Sequence, residues 1–346
     1  MARTEARTLT QRELNRALLA RQLLLERVRL PLPRVLERMG GLQAQYAPAM
    51  YIGLWSRVER FERNALTRAL ARRSVVQGTL MRTTIHLVSK RDYWPFALGI
   101  RKGLREWWLR THGRNISSRE IAENDRKVRR ALRGGTLSRA ELEEILGQRL
   151  GVVGLFLDLV RVPPSGTWER RRADLYALAD DWVGPENVKL EDALEHLVRR
   201  YLQAFGPAPA NDIADWAGLK VTAIKPALER LRLRRFRDGQ GKELLDLPRA
   251  PLPDPDTPAP VRFLPVWDAT LLVHARRTGI LPERYRSRIF NVRTPHSVNT
   301  FLVDGQVAGT WRYEQGRVQL TPFARLAKAT RAELEEEAER LAAFHA

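Results

Sequence analysis

Asn211-Asp212-Ile213-Ala214-Asp215-Trp216-Ala217-Gly218-Leu219-Lys220-Val221-Thr222 opens the stretch that decides the fold, and the stretch runs on to Asp246. Ile213, Ala214 and Trp216 give a short helix over 211–217 an apolar side. Gly218 is the residue type that ends a helix in a left-handed turn. Thr222 is placed to cap the next helix, with Pro226 in its first turn, where a missing N–H costs little. Ala223, Leu228 and Leu231 are expected to face inward. Arg234-Arg235-Phe236-Arg237 and Glu243-Leu244-Leu245 then flank Asp238-Gly239-Gln240-Gly241, a hairpin signal. Helix, tight turn, helix and basic hairpin make a winged helix-turn-helix.

The same order recurs less cleanly upstream. Thr10 with Glu13 forms a capping box for a helix carrying Leu14, Ala17 and Leu18. Shorter helices follow over 34–39, after Pro48 and over 64–72, and then two β-rich runs, 75–81 and 84–88. Ser138 with Glu141 starts a second unit whose wing strand includes Tyr176-Ala177-Leu178. Beyond the third unit, Pro248 to Pro260 reads as an extended linker. Asp304-Gly305 and Gln315-Gly316 then turn two hairpins. A last helix is expected from Thr330, capped with Glu333, its Glu335-Glu336-Glu337 facing solvent. The fold class is therefore α+β, mostly α, with tandem winged helix-turn-helix units followed by a β-rich C-terminal domain. The divisions fall at 1–130, 131–189, 190–247 and 248–346.

The net charge is +20, from 60 Lys and Arg against 40 Asp and Glu. A surface of that sign attracts polyanions, and with this helical pattern it points to duplex DNA. Arg234, Arg235, Arg237 and Lys242 on the third hairpin, with Lys225 on the helix before it, are the candidate DNA contacts. The chain has no cysteine, which excludes disulfides, thiolate metal sites and an iron–sulfur cluster. His274 and His296 have no metal-ligand spacing, and no glycine-rich phosphate loop occurs. No run approaches the ~18 apolar residues of a membrane span. The expectation is a cytoplasmic monomer with no cofactor, no metal and no membrane partner.

Gly41-Leu42-Gln43-Ala44-Gln45-Tyr46-Ala47-Pro48 carries the candidate chemistry. On a helix the two glutamines would point roughly 200° apart at 100° per residue. On an extended segment they share a side and Ala44 takes the other. The flanking glycines and Pro48 favour the extended form, in which two amides can hold one water between an acceptor oxygen and a donor nitrogen. A polar loop is the alternative. His86, in the strand-like 84–88 run, could touch a lesion or a phosphate, or could simply be packed. Trp267-Asp268 reads as a structural corner. Trp107 and Trp108 are expected to be buried on an amphipathic helix.

Gly41–Gln45, Thr84–Val88, Phe205–Ala208, Leu264–Asp268 and Leu302–Trp311 together resemble the AlkZ/YcaQ family of winged-helix DNA glycosylases, over nearly the whole chain. Gln43 and Gln45 match the Gln-apolar-Gln motif of the AlkZ-like branch rather than the Gln-apolar-Asp of the YcaQ-like branch. The resemblance implies three winged-helix units around a DNA channel and catalysis by Gln43 and Gln45. The implied substrate is duplex DNA carrying a bulky N7-alkylated purine, crosslinks included, in repair or in self-resistance to a DNA-alkylating product. The stretch Asn291–Asn299 departs from the family pattern in lacking an Asn-Gly turn. A lysine nucleophile would make the enzyme bifunctional, and the nearest lysine in sequence is Lys90. The rival readings are a transcription regulator, for which Lys225, Glu229, Arg230 and Arg232 offer a thin base-reading set, and a family member that binds DNA without catalysis.

Overall fold

The computed structural model describes residues 6–112, 117–272, 279–290 and 297–346. Helix α1 (Gln11–Arg21) starts on the expected capping box: Glu13 N–H donates to the Thr10 hydroxyl (3.2 Å), and Thr10 N–H to the Glu13 carboxylate (2.7 Å). Next come α2 (Leu32–Met39), β1 (Leu42–Gln43), α3 (Ala47–Trp55), α4 (Arg63–Ala71), β2 (Val75–Thr79) and β3 (Ile85–Ser89). The long α5 (Lys90–His112) and α6 (Ser118–Leu132) lead to β4 (Leu137–Ser138), α7 (Arg139–Leu146) and α8 (Leu150–Val153). There follow β5 (Leu159–Arg161), β6 (Leu175–Leu178) and α9 (Ala179–Val183). The six strands form one antiparallel sheet in the order β1-β3-β2-β5-β6-β4. Two short hairpin systems far apart in sequence thus share their ladders through the β2–β5 pair, and β1 lies at an edge.

Helix α10 (Leu190–Phe205) is the central post. Ala193, Leu197, Val198, Tyr201, Leu202 and Phe205 recur at helical spacing and are buried, against α1, α2, α5 and the third unit. That unit is α11 (Ala210–Ala217), α12 (Val221–Arg230), β7 (Arg234–Arg237) and β8 (Glu243–Asp246), with Gly218 left-handed between the helices (φ 72°). Two details differ from expectation. Helix α12 begins at Val221 behind Lys220, so Pro226 falls in its second turn, on the exposed face. The buried face is Ile224, Ala227 and Leu231, while Ala223 is exposed. This phase buries the larger Ile224 in place of Ala223.

Residues 248–260 form no regular element, yet they are held. Side chains of Arg12, Arg16 and Arg21 donate to the carbonyls of Pro255 (2.8 Å), Thr257 (2.7 Å) and Pro251 (2.9 Å). Then come β9 (Arg262–Leu264), α13 (Ala269–Leu272), α14 (Arg286–Ile289), β10 (Thr300–Val303), β11 (Gln306–Glu314), β12 (Arg317–Pro322) and α15 (Lys328–His345). The second sheet has the order β12-β11-β10-β9. Helix α15 starts two residues before Thr330, which caps nothing, because Glu333 accepts the Val261 N–H instead (3.1 Å). Glu335 and Glu336 are exposed as expected, but Glu337 is buried and ion-paired with Arg27. Leu334, Ala338 and Leu341 of α15 pack into the core of α2 and α3. Trp108 is buried, whereas Trp107 is 41% exposed; adjacent helical positions point about 100° apart, so one face cannot bury both. His274, His296 and most of the Asn291–Asn299 stretch lie outside the described residues. No helix among the described residues is long and apolar enough to cross a membrane. The fold is α+β and mostly helical, as the sequence implies.

Candidate active site

Gly40 and Gly41 both take left-handed backbone (φ 72° and 84°) and turn the chain sharply from α2 into β1. A Cβ on Gly41 would lie 2.9 Å from Val88 Cγ1, so only glycine lets the two backbones approach. Leu42 then pairs with Leu87 and Gln43 with His86, and the Ala44 N–H donates to the Ile85 carbonyl (2.6 Å). The segment is extended, and Leu42 and Ala44 are buried in the core. Gln43 projects from the other side, half-buried, and Gln45 follows at a bend, exposed. The Ile85 N–H donates to Gln45 Oε1 (3.1 Å). A backbone donor must meet an oxygen, which fixes the amide's orientation and leaves its NH2 free to donate. Gln43 has no hydrogen-bond partner among the described residues.

Cross-strand partners share a face of the sheet, so Gln43 lies beside His86, and His86 beside Gly78 on β2. A Cβ on Gly78 would meet Tyr93 Cε2 at 2.8 Å, so the Tyr93 ring of α5 fills that place. The Gln43 amide, the His86 imidazole and the Tyr93 phenol therefore occupy one face, and the Gln45 amide is held on the Ile85 N–H of the same hairpin. His86 is 3% exposed. Burial, aided by the nearby Arg82 cation, holds its pKa down at about 3, so the ring is neutral. Its Nδ1 lies 3.1 Å from the Thr84 carbonyl, which can only accept. The proton sits on Nδ1, and Nε2 is left as an acceptor. Arg82, left-handed at the β2–β3 turn (φ 53°), donates to the Trp216 carbonyl of α11 (2.6 Å) and so ties the turn to the third unit. Its burial lowers its pKa to about 10, still a cation at neutral pH. Burial likewise pushes the Tyr93 phenol up.

The wing candidates divide. Arg234 donates to the buried Asp246 (2.9 Å), which also binds the buried Arg21 (2.7 Å), so Arg234 is committed to the fold. Arg235 pairs with Glu243 at the surface (2.6 Å), Arg237 donates to the Gly241 carbonyl (3.2 Å), and Lys225 lies 3.9 Å from Glu229. The Lys242 side chain has no partner among the described residues. The wing's ladder partners are residues 7–9 and Ala208, and it is not brought to the glutamines. Lys90 follows β3 at its far end, roughly 13 Å along the strand from the His86 level at ~3.3 Å per residue. Trp267-Asp268 is structural: Asp268 receives the Arg57 guanidinium (2.9 Å), both side chains fully buried. Arg82 and Tyr93 escaped sequence reading, because neither belongs to a motif. The left-handed turn that aims Arg82 is carried by a non-glycine residue, which gives no signal.

Residues 36–344 match the family model for AlkZ-like DNA glycosylases. The chain belongs to that family and is a DNA glycosylase. It is 25% identical over 323 residues, covering 84% of each protein, to an interstrand DNA cross-link repair glycosylase of Streptomyces sahachiroi. Its fold superposes on the solved Streptomyces sahachiroi DNA glycosylase AlkZ with a TM-score of 0.81 at 20% identity, covering 98% of this chain and 97% of that one.

Proposed function

We propose that the enzyme hydrolyses the N-glycosidic bond of bulky N7-alkylated purines in duplex DNA, crosslinks included, and that Gln43 and Gln45 place the attacking water. It would act as a cytoplasmic monomer. The observation that carries this reading is that both amides leave the apolar side of the segment, Gln43 beside His86 and Gln45 on the Ile85 N–H. An N7-alkylguanine is cationic, so the electron pair of the breaking C1′–N9 bond neutralises it and the base leaves without a strong acid. Positive charge grows on the sugar, where amide oxygens oppose it. Water adds to C1′ and sheds its proton to solvent. An amide is too weak a base to drive this on an ordinary nucleoside, so unmodified bases are spared. With Lys90 at the far end of β3, the abasic strand should stay intact, and borohydride should trap no protein–DNA adduct.

The test is single-turnover base release. Gln43→Ala and Gln45→Ala should each slow release by roughly 10² or more, the range typical of a positioned catalytic group, with DNA affinity nearly unchanged. The double variant should lose less than the product of the two, because both amides serve one water. Gln45→Asp should keep activity, since the related branch uses a carboxylate there. Unchanged rates in the double variant would reduce the pair to a polar loop.

A further inference from the structure

A cavity of about 370 Å³ lies between α5 and the strands of the second unit. One wall is the side of α5 that carries Tyr93, Ala97, Leu104 and Trp108, spaced at four and seven residues, with Trp107 at its margin. The opposite wall carries Arg139, Arg161, Asp158 and Tyr176, and Arg101 of α5 faces them. Three guanidinium groups line the cavity, and two of them are taken by carboxylates. Arg101 is engaged by Asp158 and Glu186, and Arg139 by Glu143. Arg161 has no carboxylate partner among the described residues. It donates to the Thr79 hydroxyl (2.9 Å) and lies over the Tyr176 ring, and its buried Nε has no hydrogen-bond partner.

The Tyr93 end of the cavity lies beside the strand face that carries Gln43. Tyr93, in its wall, is the ring that fills the place above Gly78, on the face that carries Gln43 and His86. Thr79 and Thr83 border it at the same end of the sheet as Gln45: Thr79 pairs with Ile85, whose N–H holds the Gln45 amide. From β1 to β2 is two strand spacings, roughly 10 Å. A substituent on N7 of a purine held at the glutamines can span that.

We propose that this cavity receives the group appended to the purine, and that it selects a planar aromatic group bearing an anionic or strongly accepting substituent. The ring would lie against Tyr93 and Ala97 at the end of the cavity near Arg161, and the substituent would meet Arg161. This assignment rests on the glutamine reading above, and it places lesion choice away from the residues that act on the sugar.

Three duplexes test it, carrying N7-methylguanine, N7-benzylguanine and N7-(4-carboxybenzyl)guanine. Affinity is read by competition against unmodified duplex, and release by single turnover. Wild type should prefer carboxybenzyl over methyl by roughly 10-fold or more, the scale of one well-made pocket contact. Arg161→Gln should bring carboxybenzyl down to the benzyl level. Ala97→Trp, which fills the cavity from the α5 side, should weaken both aromatic lesions and leave methyl unchanged. Equal wild-type affinity for the three duplexes overturns the proposal, whatever the release rates. So does an Ala97→Trp variant, folded by circular dichroism, that treats all three as wild type does or loses all three alike. Failure of the glutamine reading looks different: a preserved affinity order with release unaffected by Gln43→Ala and Gln45→Ala.

Discussion

At the scale of the residue, His86 shows how position overrides chemistry. A histidine free in water titrates near 6.5, but here it is shut from water beside a cation, and its pKa falls to about 3. Between those values the unfolded chain takes up a proton that the folded chain refuses. The stability His86 contributes is therefore complete above about pH 6.5 and is lost as pH drops toward 3, by up to about 1.4 kcal/mol per pH unit for one group. His345, pushed down to about 4 by burial and by Arg63, acts in the same direction. Urea midpoints at pH 7.5, 6.0 and 5.0 should fall in wild type and fall less steeply in His86→Gln. Equal slopes would mean that His86 gains its proton in the folded state. The neutral Nε2 acceptor suits a contact with a purine N–H and does not suit a phosphate, which needs a donor. Sequence leaves His86 a lesion contact, a phosphate contact or simple packing, and its 3% exposure and bond to the Thr84 carbonyl are what packing produces.

At the scale of the element, the wing now has a sharper test. We expect Arg235, Arg237 and Lys242 to meet phosphates, since Arg234 is held by Asp246. Replacing those three with Glu should weaken binding evenly across sequences and flatten the log–log salt slope by about one unit per lost phosphate contact. An unchanged slope would remove the wing from the DNA path. Arg234→Glu is a poor probe, because it sets a carboxylate against a buried one. The helices and hairpins of the third unit and the Asp304-Gly305 and Gln315-Gly316 turns were legible in the sequence, because each announces itself by local rules of periodicity, caps and turn residues. The extended form of 42–44 was legible from its glycines and Pro48. The ladder that joins β2 to β5 was not, since pairing across some 80 residues leaves no local mark. Nor were the start of α15 and the phase of α12: tertiary contacts, Glu333 with Val261 and Ile224 with the core, outweighed the local capping signals.

At the scale of the whole molecule, buried ion pairs cross the sequence divisions. Arg21 meets Asp246, Arg57 meets Asp268, and Arg27 meets Glu337. Each joins the first sixty residues to a segment about 200 residues or more downstream. Arg57→Met would strand a fully buried carboxylate, which typically costs about 3–5 kcal/mol. Urea unfolding of that variant should show the loss, with near- and far-ultraviolet circular dichroism still moving together. Separate transitions would mean that the N-terminal part stands without its distant partners.

The helix α15 adds a matter of timing. Its Leu334, Ala338 and Leu341 complete the apolar core around Leu36, Met50 and Trp55. On a ribosome those partners emerge far apart, and at typical synthesis speeds the gap of roughly 280 residues takes about 15–60 s. For that interval the core beneath the segment that carries Gln43 lacks its final wall. A nascent chain in this state offers chaperones a sticky apolar surface that α15 later covers.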